Sequence, residues 1–197
     1  MKNLALFLLV LLLACTKKGV ENNASEHAQF YDVRVLLDQL VVNGSKYGVG
    51  VDKTVKVNGN SEQKKITQTD SSFWQNELAL LYEADLNKPI NHGKYLIKSK
   101  MTDPSSNLTY DMYSNPNDSE PGIAWEKVFY MGIPMKIRKM EYLRKEKNSL
   151  FYSRRTVKLW LNEYRDTLLI DSLMVTGQNK MIGQDSLSYY IFIKRLH

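Results

Sequence analysis

The apolar and polar positions of this chain change period several times. Phe30, Val33, Leu37 and Leu40 recur at intervals of 3, 4 and 3. That spacing puts them on one face of a helix beginning near Ser25 or Glu26, with Asn43-Gly44 as its stop signal. Val51 to Val57 alternates instead, with Val51, Val55 and Val57 set against Asp52, Thr54 and Lys56. Asn58-Gly59 follows and suits a tight hairpin, because both residues tolerate positive φ. The return strand, Glu62 to Gln68, has Ile66 as its one apolar residue. A strand that polar belongs at an exposed edge, where Lys64 and Lys65 discourage unwanted pairing. Trp74, Leu78, Leu81 and Tyr82 then form a second helical stripe. Asp70 or Ser71 caps it, and it closes before Asn87-Lys88-Pro89, since proline disfavours helix in the residue before it.

From Gly93 onward the pattern reads as strands: Lys94 to Met101, Leu108 to Tyr113 and Ala124 to Met131, separated by the turn-rich stretches 102–107 and 114–122. Ile133, Met135 and Ile137 share a face, and the phase then moves to Met140 and Tyr142, which predicts a bulge near Arg138-Lys139. After a turn at Lys145–Ser149, the residues Phe151, Val157, Leu159 and Leu161 line the next strand. Arg165 to Thr176 and Leu187 to Leu196 close the chain, joined by a loop over Gly177–Asp185. The last strand carries apolar bulk on both faces, which predicts a central or covered position. Two helices ahead of a run of antiparallel strands predict an α+β fold, with both N-terminal helices packed on a curved, mainly antiparallel sheet, open or half-barrel-like.

The extreme N-terminus has no such period. Lys2 precedes an unbroken apolar run, Leu4 to Leu13, which ends at Ala14 before Cys15, the single cysteine. Ten residues at ~1.5 Å each span ~15 Å of a ~30 Å hydrocarbon core, too short for a transmembrane helix. A charged start, a short apolar core and a small residue at the cut mark an export signal. Leu12-Leu13-Ala14-Cys15 resembles the lipobox of bacterial lipoproteins. That resemblance implies cleavage before Cys15 and a diacylglycerol thioether on its sulfur, and it explains a lone cysteine in an exported chain. The expected organisation is a signal peptide over 1–14, a lipidated polar tether over 15–25, and one domain over 26–197. The domain is long enough for a sizeable core of its own.

Charge changes the picture next. The chain carries a formal +6, and between Pro134 and Lys158 nine basic residues face only Glu141 and Glu146. Lys136, Arg138, Lys139, Arg144, Arg154, Arg155 and Lys158 are the candidate residues for an anionic partner, interleaved with Tyr142, Phe151 and Tyr152. Headgroups, glycan or an acidic envelope protein fit such a segment, and export argues against nucleic acid.

Catalytic groups are few. The histidines are His27 beside the tether, His92 in a turn and His197 at the end. No zinc-ligand spacing, nucleophile elbow, P-loop or dinucleotide glycine pattern occurs, so neither a metal nor a cofactor is expected. Paired carboxylates remain the one hydrolytic option, with Glu77, Glu83, Asp85 and Asp111 as candidates. The Asn115–Glu120 loop is acidic but lacks the ligand alternation of a calcium loop. Three tripeptides, Asp166-Thr167-Leu168, Asp171-Ser172-Leu173 and Asp185-Ser186-Leu187, resemble the O-glycosylation signal used in Bacteroidota.

Two longer stretches, Lys53–Pro89 and Gly177–Ile191, resemble small lipoproteins common in that phylum. The resemblance implies a lipidated α+β domain and brings no activity or catalytic residue with it. Thr16 after the cysteine is similar to lipoproteins passed on to the outer membrane, and the absent acidic tag sets the chain apart from the surface-exported ones. Three functions follow as expectations. The first is a non-enzymatic envelope binding or scaffolding module. The second is a carrier with an apolar groove under helix two, and the third is a hydrolase built on a carboxylate pair.

Overall fold

The structure is a computed structural model that describes residues 29–117, 119–133 and 135–196. The predicted signal peptide, Cys15, the tether, His27 and the predicted start of the first helix lie outside the described residues. Helix α1 spans Val33–Tyr47, and Asp32 caps it by accepting a hydrogen bond from the Val35 amide. It runs through Asn43-Gly44 and ends one turn later, where Gly48 adopts φ 53° and its N–H bonds to the Gly44 carbonyl. The predicted stop fails for a packing reason. Gly44 is buried in the helix because Trp74 crosses there, so its missing side chain serves a contact and not a turn.

Strand β1 (Val51–Val57) turns back into β2 (Asn60–Ile66) through Asn58 and Gly59, both at positive φ, as the pattern predicted. Helix α2 (Ser71–Leu78) begins at Asp70, whose carboxylate accepts from the Phe73 amide at 2.7 Å. It tightens into a 3-10 turn over Ala79–Ala84. Seven strands follow: β3 (Leu96–Thr102), β4 (Thr109–Ser114), β5 (Gly122–Met131), β6 (Lys136–Lys147), β7 (Phe151–Tyr164), β8 (Thr167–Met181) and β9 (Leu187–Arg195). The nine strands form one antiparallel sheet in the order β2-β1-β9-β8-β7-β6-β5-β4-β3.

The expected α+β arrangement of two N-terminal helices ahead of the sheet is overturned. Among the described residues one helix, α1, precedes the sheet, α2 sits between β2 and β3, and the fold is mostly β. The reason lies in β9. It pairs with β8 along one edge and with β1 along the other, setting Val55 beside Ile191 and Lys53 beside Ile193. The N-terminal hairpin is thereby part of the sheet, and α2 must return across it. Two smaller expectations also change. Ile133 stands in the β5–β6 turn, fully exposed, instead of lining a strand, and β8 extends to Met181 through much of the predicted loop. The bulge is where the phase change placed it. Phe129 pairs with Lys139 and Tyr130 with Ile137, leaving Arg138 as the extra residue.

One core joins the helices to one face of the sheet. Leu37, Leu40, Trp74, Leu78 and Leu81 pack against Met140, Tyr142, Val157, Leu159, Leu173, Val175 and Ile193. Bonds from the helical segments reach this inner face: Asn43 donates to the Leu168 carbonyl at 2.9 Å, and the Tyr142 hydroxyl donates to the Leu80 carbonyl at 2.7 Å. Glu83 in the 3-10 turn takes Arg144 and Arg155. Alternation then sends the intervening residues of every strand to the opposite, outer face, where no helix packs among the described residues.

Candidate anion-binding face

Strand pairing fixes what the outer face presents. On the β6–β7 hairpin the outward pairs are Lys139 with Trp160, Glu141 with Lys158, Leu143 with Thr156, Lys145 with Arg154, and Lys147 with Tyr152. Strand β5 adds Trp125, Lys127 and Phe129, opposite Leu143, Glu141 and Lys139. At the centre lies Glu141, a buried carboxylate with three lysines around it. Lys139 Nζ is 2.9 Å from its Oε2, Lys158 Nζ 3.7 Å from the same oxygen, and Lys127 Nζ 4.0 Å from Oε1. One acid cannot neutralise three ammonium groups, so the cluster carries a net positive charge.

Aromatic rings hold those lysines. Lys139 Nζ sits 4.4 Å from the Phe129 ring centre and 5.9 Å from that of Trp160. Lys127 lies 5.0 Å from Tyr110 and 5.5 Å from Trp125. The ring quadrupoles favour a cation over their faces and fix the ammonium groups without neutralising them. Trp125, Trp160, Tyr110 and Phe192 are half-buried, so they offer ring surface to solvent. Toward the β6–β7 turn the cationic surface continues. Lys145, Lys147, Tyr152 and Arg154 line one wall of a pocket of about 520 Å³, and Asn117, Ser119 and Glu120 line the other.

The seven basic residues expected to act together are therefore not one patch. Lys139, Lys158 and Arg154 share the outer face. Arg144 and Arg155 point inward, both to Glu83, with Arg144 also 2.5 Å from Glu146. Lys136 and Arg138 both hold Glu163, at 2.9 and 3.0 Å, and their hydrogen bonds keep its carboxyl below the usual range. Lys127 completes the outer cluster and was not among the seven. Its signal was the alternation Trp125-x-Lys127-x-Phe129, aromatic on both sides of a lysine.

The candidate carboxylates are each engaged: Glu77 with Lys53 at 2.5 Å, Glu83 with the two arginines, and Asp85 with Arg34 at 3.8 Å. Asp111 accepts from the Lys100 amide at 2.9 Å. The acid that sequence reasoning missed is Glu126. Its strand position falls on the inner face between Tyr113 and Tyr142, it is 1% exposed, and its Oε2 has no hydrogen-bond partner. Burial, reinforced by the negative charge of Asp85, pushes its carboxyl well above the usual range, which favours its protonated form. Asp85 lines a nearby pocket of about 270 Å³ with Tyr95, Lys94 and Arg144.

The described acceptor oxygens of the Asn115–Glu120 loop are taken by protein donors. Asn115 accepts from the Asn117 amide, and Glu120 takes Lys94 at 2.7 Å. His92 is exposed beside its turn. No helix of the described residues is long and apolar enough to cross a membrane. Comparison with known proteins finds no matching family model, no matching curated protein and no matching solved structure.

Proposed function

We propose that this chain is a lipid-anchored, non-enzymatic envelope module, tethered through Cys15 to the outer membrane on its periplasmic side, that binds an acidic glycan on the outer face of its sheet. The observation that supports this reading is the Glu141 cluster. Three lysines converge on one carboxylate between aromatic rings, an arrangement with charge left over and with flat apolar surfaces beside it. Sugar rings carry an apolar face that stacks on tryptophan or tyrosine, and their acid groups would meet the lysines. Broad cationic faces also accelerate encounter with polyanions.

The test uses the full chain in detergent, with tryptophan fluorescence as the signal, since Trp125 and Trp160 lie on this face and Trp74 is buried. Titration with polygalacturonate shifts the emission, raising salt weakens the response, and neutral dextran gives none. Lys139→Ala with Lys158→Ala lowers affinity on the order of tenfold. A response equal for the neutral polymer, or one insensitive to salt, defeats the reading.

The carrier alternative needs an apolar groove beneath α2, and Trp74, Leu78 and Leu81 fill that space. The hydrolytic alternative has one observation in its favour. A protonated Glu126 coupled to the Asp85 carboxylate is the pairing a general acid needs. Asp85 reaches the pocket wall, whereas Glu126 is absent from its lining, which leaves the acid without contact to a substrate there.

A further inference from the structure

Two hairpin tips meet at one end of the sheet. The turn between β6 and β7 holds Leu150, and the turn between β8 and β9 holds Ile182, next to Met181 at the end of β8. The Ile182 amide donates to the Leu150 carbonyl at 3.0 Å, which joins the tips into one cap. Asn148 stiffens its own turn by accepting from the amides of Leu150 and Phe151 at 2.9 and 2.8 Å. These bonds hold the aliphatic side chains outward. Leu150 is 66% exposed, Ile182 71% and Met181 48%.

Such exposure works against a solitary soluble surface, and three large aliphatics held together mark a contact site. Behind the cap come cations. Lys147 and Lys180 are both register partners of Tyr152 at the strand ends, and both are exposed, as is Arg154 one step further back. Asp185 is the acid of the two turns. Aliphatic points in front of a belt of lysines match the layering of an anionic bilayer, with acyl chains first and phosphate headgroups behind. A protein pocket would need no such order of depth. We propose that this cap inserts into an anionic lipid surface, Leu150 and Ile182 entering the acyl boundary while Lys147 and Lys180 engage headgroup phosphates. Inserted this way, the tips orient the sheet on the membrane and leave its outer face accessible.

The opposite end of β6 gives an internal contrast. Its turn exposes Met131, Ile133 and Met135, but the lysine beside it, Lys136, is bound to Glu163. Only one end can enter a flat surface at a time, and the free cations choose the Leu150–Ile182 end.

The experiment reads depth and not binding, so it works with the full, anchored chain. Ile182→Trp and Ile133→Trp are reconstituted separately in phosphatidylcholine–phosphatidylglycerol vesicles containing brominated acyl chains. The expected result is blue-shifted, strongly quenched emission from Ile182→Trp and none above the wild-type background from Ile133→Trp. The effect should vanish in pure phosphatidylcholine or when Lys147→Glu and Lys180→Glu are added. Quenching at position 133 alone, or at neither position, overturns the proposal. A blue shift of Ile182→Trp without vesicles that grows with protein concentration also overturns it, since a second copy would then cover the cap. Polygalacturonate binding by an Ile182→Ser chain, which removes an apolar point of the cap and no cation, reports separately on the Glu141 cluster, so the two surfaces fail independently.

Discussion

Gly44 and Trp74 touch where α1 crosses α2, and a β-carbon built on Gly44 would stand 2.5 Å from the indole Nε1. Trp74 is 2% exposed and donates that same nitrogen to the Thr69 hydroxyl at 3.1 Å, while Thr69 donates to the Val49 carbonyl at 2.9 Å. The indole is thus fixed at both its plane and its polar tip. Gly44→Ala should improve intrinsic helix propensity yet destabilise the fold by about 1–3 kcal/mol through overpacking. Urea unfolding checks this: the midpoint falls with the slope unchanged. A neutral or stabilising result would mean that the indole has room to move.

Glu141 supports a prediction of opposite signs for stability and binding. Glu141→Gln removes the carboxylate among Lys127, Lys139 and Lys158, leaving three ammonium groups to repel one another. The lysines keep some solvent contact, so the loss should be only about 1–2 kcal/mol at low salt and smaller at high salt. Affinity for an acidic polymer should rise, because the internal competitor is gone. Thermal unfolding across a salt series, together with the fluorescence titration, reads both effects. Weaker polymer binding by the variant would remove Glu141 and its lysines from the binding surface.

The parts of this fold that the sequence made legible are those governed by local rules. The Asn58-Gly59 hairpin, the Asp70 cap and the bulge at Arg138 follow from backbone preference and from the phase of apolar positions. What stayed hidden depends on partners distant in the chain. Gly44 reads as a helix stop until Trp74 is known to lie against it. The place of β1 beside β9 joins residues some 140 positions apart, and no periodicity announces it. The candidate site divides the same way. Alternation along β6 and β7 could sort Lys139 and Lys158 from Arg144 and Arg155, but only the register shows that Lys127 joins the former, and only the packing of the 3-10 turn that Glu83 joins the latter. Glu126 gave no local sign at all, since its burial comes from the layer packed over it.

The three Asp-Ser/Thr-Leu tripeptides differ in access. Thr167 is half-buried, with its hydroxyl 3.1 Å from that of Tyr47, and Ser172 is 6% exposed beside Asp171. Ser186 stands exposed in the β8–β9 turn. A glycan added to the folded domain should therefore sit on Ser186. Intact mass would show an adduct that Ser186→Ala abolishes. An adduct surviving at Thr167 or Ser172 would mean that modification precedes folding.

Glu126 makes the protein's stability depend on pH. In the unfolded chain this carboxyl ionises near 4.5, whereas in the fold burial first, and the charge of Asp85 second, keep it protonated well above that value. Its folded pKa is the raised one, so the unfolded state holds fewer protons once pH passes 4.5. Stability from this site is therefore complete below the unfolded pKa and declines as pH rises toward the folded one. Glu126→Gln has the same shape and no ionisation. Its unfolding free energy should match the parent near pH 4 and exceed it increasingly as pH rises above 4.5 toward the raised folded value, since the variant has no ionisation for burial to suppress. Chemical denaturation at each pH gives the difference directly. Parallel curves for the two proteins would mean that water or a cation reaches the Oε2 atom and that the carboxylate is tolerated inside the sheet.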